Sequence, residues 1–273
     1  MKSFCLLVGL ASLIGATGAR AAVVVTATSP TAAGLGTTVD EFRTLVSQGG
    51  TNNGVGGGLF PNGRREVAWD VASLDPFQVP AAMPGDFFRT NSLRGLELTT
   101  PGSLRVSGRA ASGSYDVLFS TLNPTAAAGF QTFSPERLLA AYGATTVVAE
   151  FYLPSAPSQR AVVQGFGALF ADVSLFGPTR LEAFGRSGRL LATVAVPATP
   201  NGLSFAGLWI DGGEWIDQMY IHVGEAGIEN TSDLSDIVAL DDFIYSEPQL
   251  IPEPETALLL ALGVALAFRR RQR

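Results

Sequence analysis

The feature that most constrains the fold is a series of short apolar runs separated by glycine and proline. The chain has 31 glycines and 16 prolines in 273 residues. Several of the runs alternate apolar and polar residues, which is the period of a half-buried β-strand. The pattern predicts strands at TTVVAEFYL (145–153), AVVQGFGALFADVSLF (161–176), TRLEAF (179–184), RLLATVAV (189–196), GLSFAGLWI (202–210), WIDQMYIHV (215–223) and DIVALDDFIY (236–245).

Helix signals are sparse by comparison. VDEFRTLVSQGG (39–50) predicts a short helix that ends at Gly49, and SPERLLAAYG predicts another, with Ser134 as its cap and Gly143 as its stop. The glycine-bearing break in LEAFGRSGRLLATVAV predicts a hairpin between two strands. Many closely spaced strands with one or two short helices predict an all-β fold, namely an antiparallel β-sandwich of jelly-roll type.

The N-terminus has the ordered polarity of a secretory signal peptide. Lys2 supplies the positive start, Phe4 to Ile14 an apolar segment, and Ala19-Arg20-Ala21 an A-x-A cleavage site. We therefore expect the Sec export machinery and signal peptidase to process residues 1–21; a buried first strand or helix is the alternative interpretation. Cleavage would remove Cys5, the only cysteine. The exported body would then have no disulfide, iron–sulfur cluster or cysteine-based zinc site.

The C-terminus also has three parts in order: Pro252-Glu253-Pro254, an apolar segment (257–268) and a basic tail (269–273). The apolar segment predicts a short hydrophobic helix, and its 12 residues fall below the roughly 20 that a stable membrane span needs. The arginines, among them Arg269, Arg270 and Arg271, would stay on the cytoplasmic side. An ordinary tail anchor is the alternative to a signal for processing.

This order of motifs resembles the PEP-CTERM sorting signal of Gram-negative bacteria. The resemblance implies that residues 250–273 are a sorting signal that anchors the chain transiently in the inner membrane. It also implies cleavage by an exosortase near Pro-Glu-Pro, release to the cell surface or the extracellular space, and an association with producers of exopolysaccharide and biofilm matrix. Residues 22–249 would then form the exported domain.

The body between the two ends carries a second resemblance. Six stretches together resemble a recurring exported body found in proteins with this sorting tail. The resemblance implies an extracytoplasmic β-sandwich and no particular activity. The stretches are RREVAWD, PGDFFRTNSLRGLEL, FQTFSPERLLA, VVQGFGALFADV, GLSFAGLWIDGGEWI and DDFIYSEP.

The charge of the body argues against nucleic acid as a partner. Residues 22–251 contain 12 arginines, no lysine and 22 acidic residues, a net charge of −10. Nucleic-acid binding requires a basic patch or stripe, which this composition does not favour. Ten of the acidic residues and no basic residue lie in 201–251. Such a block either keeps the chain soluble by self-repulsion or binds a cation.

The residues that carry catalysis in most enzymes are few. His222 is the only histidine, and GLSFAG lacks the second glycine of a nucleophile elbow because Ala206 stands in its place. One histidine and no cysteine also make a conventional zinc site improbable. Paired carboxylates leave a glycosidase open. The candidates for such a pair are Asp172, Asp211, Glu214, Asp217, Asp241 and Asp242.

Calcium is the metal that the acidic block suggests, because Ca²⁺ takes six to eight oxygen ligands. Asp211 and Glu214 flank a glycine turn, and Asp241 and Asp242 are adjacent in a predicted strand. Strand geometry places the side chains of the two adjacent aspartates on opposite faces. An acidic edge that binds no ion is the alternative.

The candidates for contact with sugar rings are aromatic residues, namely Trp69, Trp209, Trp215, Tyr220 and Tyr245. Trp215 follows a glycine-rich turn, and Trp69 lies between Ala68 and Asp70, so either indole could stack on a glycan. Burial in the core is the alternative for both. We therefore expect an exported, non-enzymatic surface or matrix protein that contacts exopolysaccharide, with calcium as a candidate cofactor. A carbohydrate-active hydrolase and a purely structural coat protein are the alternatives.

Overall fold

The protein is described by a computed structural model, which covers residues 22–109, 116–232 and 234–250. The predicted signal peptide and all but the first residue of the predicted sorting signal lie outside these ranges. The strands are β1 Ala22–Ser29, β2 Arg64–Val67, β3 Leu96–Thr99, β4 Ser103–Val106, β5 Leu139–Tyr142, β6 Thr146–Leu153, β7 Ala156–Arg160, β8 Gly165–Val173, β9 Arg180–Phe184, β10 Leu190–Ala195, β11 Thr199–Ile210, β12 Gln218–His222 and β13 Ala239–Ser246. The helices are α1 Ala32–Ser47, α2 Phe87–Thr90 and α3 Pro124–Gly129, with a 3₁₀ helix at Ala72–Phe77.

Eight of the strands have the order of a jelly roll. One sheet contains β5-β13-β8-β11 and the other β6-β12-β9-β10, so the chain crosses between sheets at most steps. Strands β1, β2 and β4 extend the first sheet to seven strands, and β3 and β7 extend the second to six. Every pairing between these strands is antiparallel. The predicted antiparallel sandwich is confirmed, as is the hairpin of β9 and β10.

Two hydrophobic clusters hold the fold together, and strand alternation separates them. On β8, Phe166 and Phe170 point into the cluster between the sheets. Their neighbours Leu169 and Ala171 point to the opposite face of the same sheet, where α1 packs against β8 and α3 against β11. The central strands β8, β11 and β13 of the seven-stranded sheet are therefore buried on both faces, and this is why they read as nearly continuous apolar runs.

Helix α1 is longer than the sequence predicted, because it begins at Ala32 instead of Val39. Its buried residues include Leu35, Val39, Phe42 and Val46, whose spacing forms one apolar stripe against the sheet. The helix ends at Ser47, two residues before Gly49. Gln48 takes the left-handed conformation at its C-terminus, with φ of 48°.

The prediction of a second helix in SPERLLAAYG is wrong. Leu139–Tyr142 is strand β5, which pairs with β4 so that Leu139 lies opposite Val106. Leu138 and Ala140 pack in the cluster on the helix-covered face of the seven-stranded sheet, whereas Leu139 and Ala141 pack in the cluster between the sheets. Burial on both sides of the strand stabilises it more than the local capping signals stabilise a helix, since propensity is a weak preference that tertiary packing overrides.

Candidate functional site

The outer face of the six-stranded sheet is the most suitable surface for a ligand. Helices α1 and α3 pack against the seven-stranded sheet, and α2 packs at the edge strand β3. Within the described residues, no helix packs across the centre of the six-stranded sheet. Its outward side chains on β6, β9 and β12 are only half-buried, in strict alternation with buried ones.

The register of the strands arranges these side chains in three rows. Central strand β12 contributes one side chain to each row, between a partner on β6 and a partner on β9. We call this surface the open face. Its rows are Glu150–Gln218–Phe184, Val148–Tyr220–Glu182 and Thr146–His222–Arg180.

Two aromatic rings form the apolar part of the open face. Phe184 and Tyr220 lie on neighbouring strands and in adjacent rows, with ring centroids 5.0 Å apart and planes at 61°. This edge-to-face contact fixes both rings relative to each other. Since both residues are half-buried, part of each ring remains accessible to solvent.

The polar groups beside the rings are held by hydrogen bonds and ion pairs. Gln218 Nε2 donates to Glu150 Oε1 at 2.6 Å, and Arg160 Nη1 lies 2.8 Å from the same oxygen. Arg160 Nη2 also contacts Asp217 Oδ2 at 3.0 Å, and its guanidinium lies over the Tyr152 ring. These contacts restrict rotation of the side chains before any ligand arrives, which lowers the entropy lost on binding.

His222 belongs to a second network at the other end of the face. Its Nδ1 lies 3.2 Å from Thr146 Oγ1 and its Nε2 lies 3.1 Å from Glu182 Oε2. Arg180 Nε donates to Glu182 Oε1 at 2.8 Å, and this bond is the main reason why the pKa of the Glu182 carboxyl lies below its ordinary value. His222 lowers the pKa of Glu182 further.

The order of Thr146, His222 and Glu182 has the elements of a proton relay. A nucleophilic enzyme needs more, namely a cleft that excludes water and donors that stabilise an oxyanion. These three side chains instead face outward on a sheet surface, and Glu182 is also paired with Arg180. The arrangement suits a preformed polar surface better than an acyl-transfer site.

The predicted calcium ligands Asp241 and Asp242 lie in a β-bulge. Leu240 pairs with Phe170 and Phe243 with Ala168, so β13 has one more residue than β8 in this interval. The prediction that the two aspartates face opposite sides is wrong. Both are buried, and both lie within hydrogen-bond distance of Ser134 Oγ, at 3.2 Å and 2.7 Å respectively.

Ser134 is the centre of an acidic cluster in which Asp241 and Asp242 are buried and Asp70 is half-buried. Its hydroxyl also lies 2.9 Å from Asp70 Oδ2, so three carboxyl groups surround one hydroxyl. A hydroxyl donates one hydrogen and accepts through two lone pairs, so at least two of the three carboxyls must carry a proton for all three contacts to be hydrogen bonds. Burial raises the pKa of Asp242 to about 6 and raises the pKa of Asp241 well above its ordinary range.

The other two predicted ligands do not join this cluster. Asp211 is exposed and accepts a hydrogen bond from Trp209 Nε1 at 2.9 Å. Glu214 forms an ion pair with Arg189 at 3.0 Å. Trp209 pairs with Gly165 at one end of β8, whereas the bulge lies beside Phe170. In the part of the chain that the structure describes, no group of three or more His, Cys, Asp or Glu side chains is placed to hold a metal ion.

The two predicted glycan-binding tryptophans differ in exposure. Trp69 is fully buried, donates from Nε1 to the Asp241 carbonyl at 2.8 Å and packs against Phe88 and Phe243. The prediction that it contacts a glycan is therefore wrong, since no face of the ring reaches solvent. Trp215 is half-buried and lines a small cavity of about 50 Å³ beside Trp209. Its role in glycan contact stays a prediction.

Of the two aromatic residues of the open face, Tyr220 was among the predicted platform residues and Phe184 was missed in the sequence. The alternation of QMYIH and RLEAF carries the signal, because Tyr220 and Phe184 occupy the polar phase of their strands.

No protein-family model matches the chain, and no curated protein matches it. None of the described helices is long and apolar enough to cross a membrane.

Proposed function

We propose that this chain is an exported, exosortase-processed protein of the cell surface or extracellular matrix, and that its open face contacts exopolysaccharide without cleaving it. The signal peptide and the PEP-CTERM-like tail support the location. The observation that carries the binding function is the accessible Phe184–Tyr220 pair, flanked by polar side chains that are already held in place.

The chemistry of a polysaccharide fits this surface. A sugar ring has apolar C–H faces, which pack on aromatic rings, and hydroxyl groups, which exchange hydrogen bonds with carboxylates and amides. Glu150 and Gln218 lie in the same row as Phe184, so one sugar could meet both kinds of group. An extended sheet face also suits a long polymer better than a closed pocket does.

The test is co-sedimentation of residues 22–250 with exopolysaccharide from the producing bacterium. We expect Tyr220→Ala to weaken binding by about fivefold, since an aromatic contact is worth about 1 kcal/mol and about 1.4 kcal/mol corresponds to a factor of ten. Tyr142→Ala is the matched control, because Tyr142 is an exposed tyrosine on the other sheet. Equal loss in the two variants would contradict a site on the open face.

The same samples distinguish the other functions. We expect equal binding in calcium and in EDTA, because the four predicted carboxylate ligands do not converge. Loss of binding in EDTA would instead indicate a calcium-dependent lectin. Release of new reducing ends would indicate a hydrolase, and binding by neither the wild type nor the variants would favour a structural coat protein.

The sorting tail needs a separate test in cells. Replacement of Pro252, Glu253 and Pro254 by alanine should leave export intact and abolish the trimming that exosortase performs. We expect the full-length variant to accumulate in the inner-membrane fraction, whereas the trimmed wild type appears outside. Normal trimming of the variant would contradict the assignment of the tail.

A further inference from the structure

An uncharged loop with exposed apolar side chains lies beside the point where the chain leaves the sandwich. Residues 48–63 contain no Asp, Glu, Lys or Arg, in a body with a net charge of −10. Within this segment the side chains of Val55, Leu59 and Phe60 are 58%, 76% and 39% exposed. We call residues 55–61 the apolar loop. Clustered exposed apolar side chains mark contact sites for proteins or membranes.

The apolar loop is fastened to the segment that leads to the sorting tail. Gln249 Nε2 donates to the Phe60 carbonyl at 2.6 Å, and the Glu247 N–H donates to the Gly63 carbonyl at 2.9 Å. The loop and the exit segment also line a common groove of about 300 Å³, with Leu59, Pro61, Pro154 and Pro248 among its walls. Leu250, the last described residue, is 49% exposed.

A buried ion pair between Arg65 and Glu247 fixes the conformation of the loop. Arg65 Nη1 donates to the carbonyls of Gly54 and Gly56 at 2.9 and 3.0 Å. The guanidinium is held in turn by Glu247, at 2.7 Å from Nε and 2.8 Å from Nη2. The Arg65 guanidinium also lies under the Phe60 ring, 5.6 Å from its centroid. The apolar side chains are thus presented outward by a rigid support.

The distance to the tail decides which partner fits. The apolar segment begins at Ala257, seven residues after Leu250, and seven extended residues span at most about 25 Å. When the tail lies in a bilayer, the exit end of the sandwich is held within that distance of the lipid surface. We propose that the apolar loop inserts Leu59 and Phe60 into the lipid interface while the tail anchors the chain. This inference rests on the membrane retention in the proposed function.

Charge and residue type agree with a lipid partner. The loop has no carboxylate that anionic headgroups would repel. An aromatic ring with neighbouring polar asparagines is suited to the boundary between headgroups and acyl chains. The expected consequence is a fixed orientation of the body, with the Pro-Glu-Pro segment close to the membrane where a membrane transpeptidase acts.

The test uses the full chain in phosphatidylcholine vesicles, with Cys5→Ser as background and one new cysteine labelled with an environment-sensitive nitrobenzoxadiazole dye. Leu59→Cys reports on the loop and Leu260→Cys on the tail. Phe176→Cys is the matched control, since Phe176 is 75% exposed against 76% for Leu59. Phe176 follows the end of β8 that is far from the apolar loop, and the nine residues of β8 span about 30 Å.

We expect doxyl-labelled lipids to quench the dyes at positions 59 and 260 and not the dye at 176. Quenching at 260 with equal, weak quenching at 59 and 176 would overturn the loop insertion and leave the membrane retention standing. No quenching at 260 would overturn both. A dye at 59 that is shielded from water but not quenched by lipid would show that a protein segment covers the loop, which would also overturn the lipid assignment.

Discussion

The acidic cluster around Ser134 makes the stability of the protein depend on pH, and Asp242→Asn isolates this effect. Asparagine has nearly the same shape as aspartate and can still form a hydrogen bond with Ser134, but it cannot ionise. The folded protein raises the pKa of Asp242 from 3.8 to about 6, chiefly through burial, and the charge of Asp70 adds to the rise. The folded state therefore holds this proton more tightly than the unfolded state does.

The sign and the size of the effect follow from this difference. A carboxyl whose pKa is raised in the folded state stabilises the fold below its unfolded pKa, and that contribution is lost as the pH rises through the folded pKa. The rise from 3.8 to about 6 corresponds to about 3 kcal/mol, because each pH unit is worth about 1.4 kcal/mol. As the pH rises from about 4 to about 7.5, the free energy of unfolding of the variant should therefore increase by about 3 kcal/mol relative to that of the wild type.

The assay is urea unfolding of residues 22–250, which contain both sheets and both hydrophobic clusters. The free energy of unfolding is extrapolated to zero urea at each pH, and equal slopes with urea confirm that the variants unfold similarly. Asp211→Asn is the control, since Asp211 is exposed at a turn and should keep the pH profile of the wild type. Parallel profiles for Asp242→Asn and the wild type would show that the Asp242 carboxyl does not hold its proton more tightly in the folded state.

Three further substitutions test how the fold is held together. Glu247→Gln leaves the guanidinium of Arg65 buried without its carboxylate, where the two side chains are 0% and 2% exposed, and should lower the free energy of unfolding by about 3–5 kcal/mol. Gly207→Ala would place a methyl group 2.6 Å from the Phe42 ring and should cost about 1–3 kcal/mol. Gly36→Ala, in open space on the same helix as Phe42, should instead gain about 0.5–1 kcal/mol. Urea unfolding measures the free energy of unfolding of all three variants. An unchanged value for Glu247→Gln, or a higher value for Gly207→Ala than for the wild type, would contradict the packing described above.

Prediction of the strands succeeded where burial follows the local period. TTVVAEFYL became Thr146–Leu153, with strict alternation of half-buried and buried residues. The central strands β8, β11 and β13 were equally visible as apolar runs, because both of their faces are covered, whereas β1, β2 and β4 of the same sheet were not predicted. SPERLLAAYG failed because a four-residue strand carries too little period to outweigh a helix cap in the sequence.

The candidate site was harder to predict than the strands. Trp69 and Asp242 were chosen for their residue type, yet the structure buries both of them. Tyr220 was a predicted platform residue, but its pairing with Phe184 became visible only in the register of β9 and β12, which places the two side by side. Side-chain proximity across strands depends on pairing between distant segments, which no local pattern contains.

The class of fold, the scarcity of catalytic groups and the motifs at the two ends can be inferred from the amino-acid sequence, since they depend on composition, local period and short contiguous motifs. The pairing of the strands, and therefore the set of side chains that share the open face, is visible only in the folded protein. The folded protein also shows that a single extra residue in β13 turns Asp241 and Asp242 toward the same hydroxyl. The physical reason is that strand register is set by the simultaneous packing of two apolar clusters, whose members lie far apart along the chain.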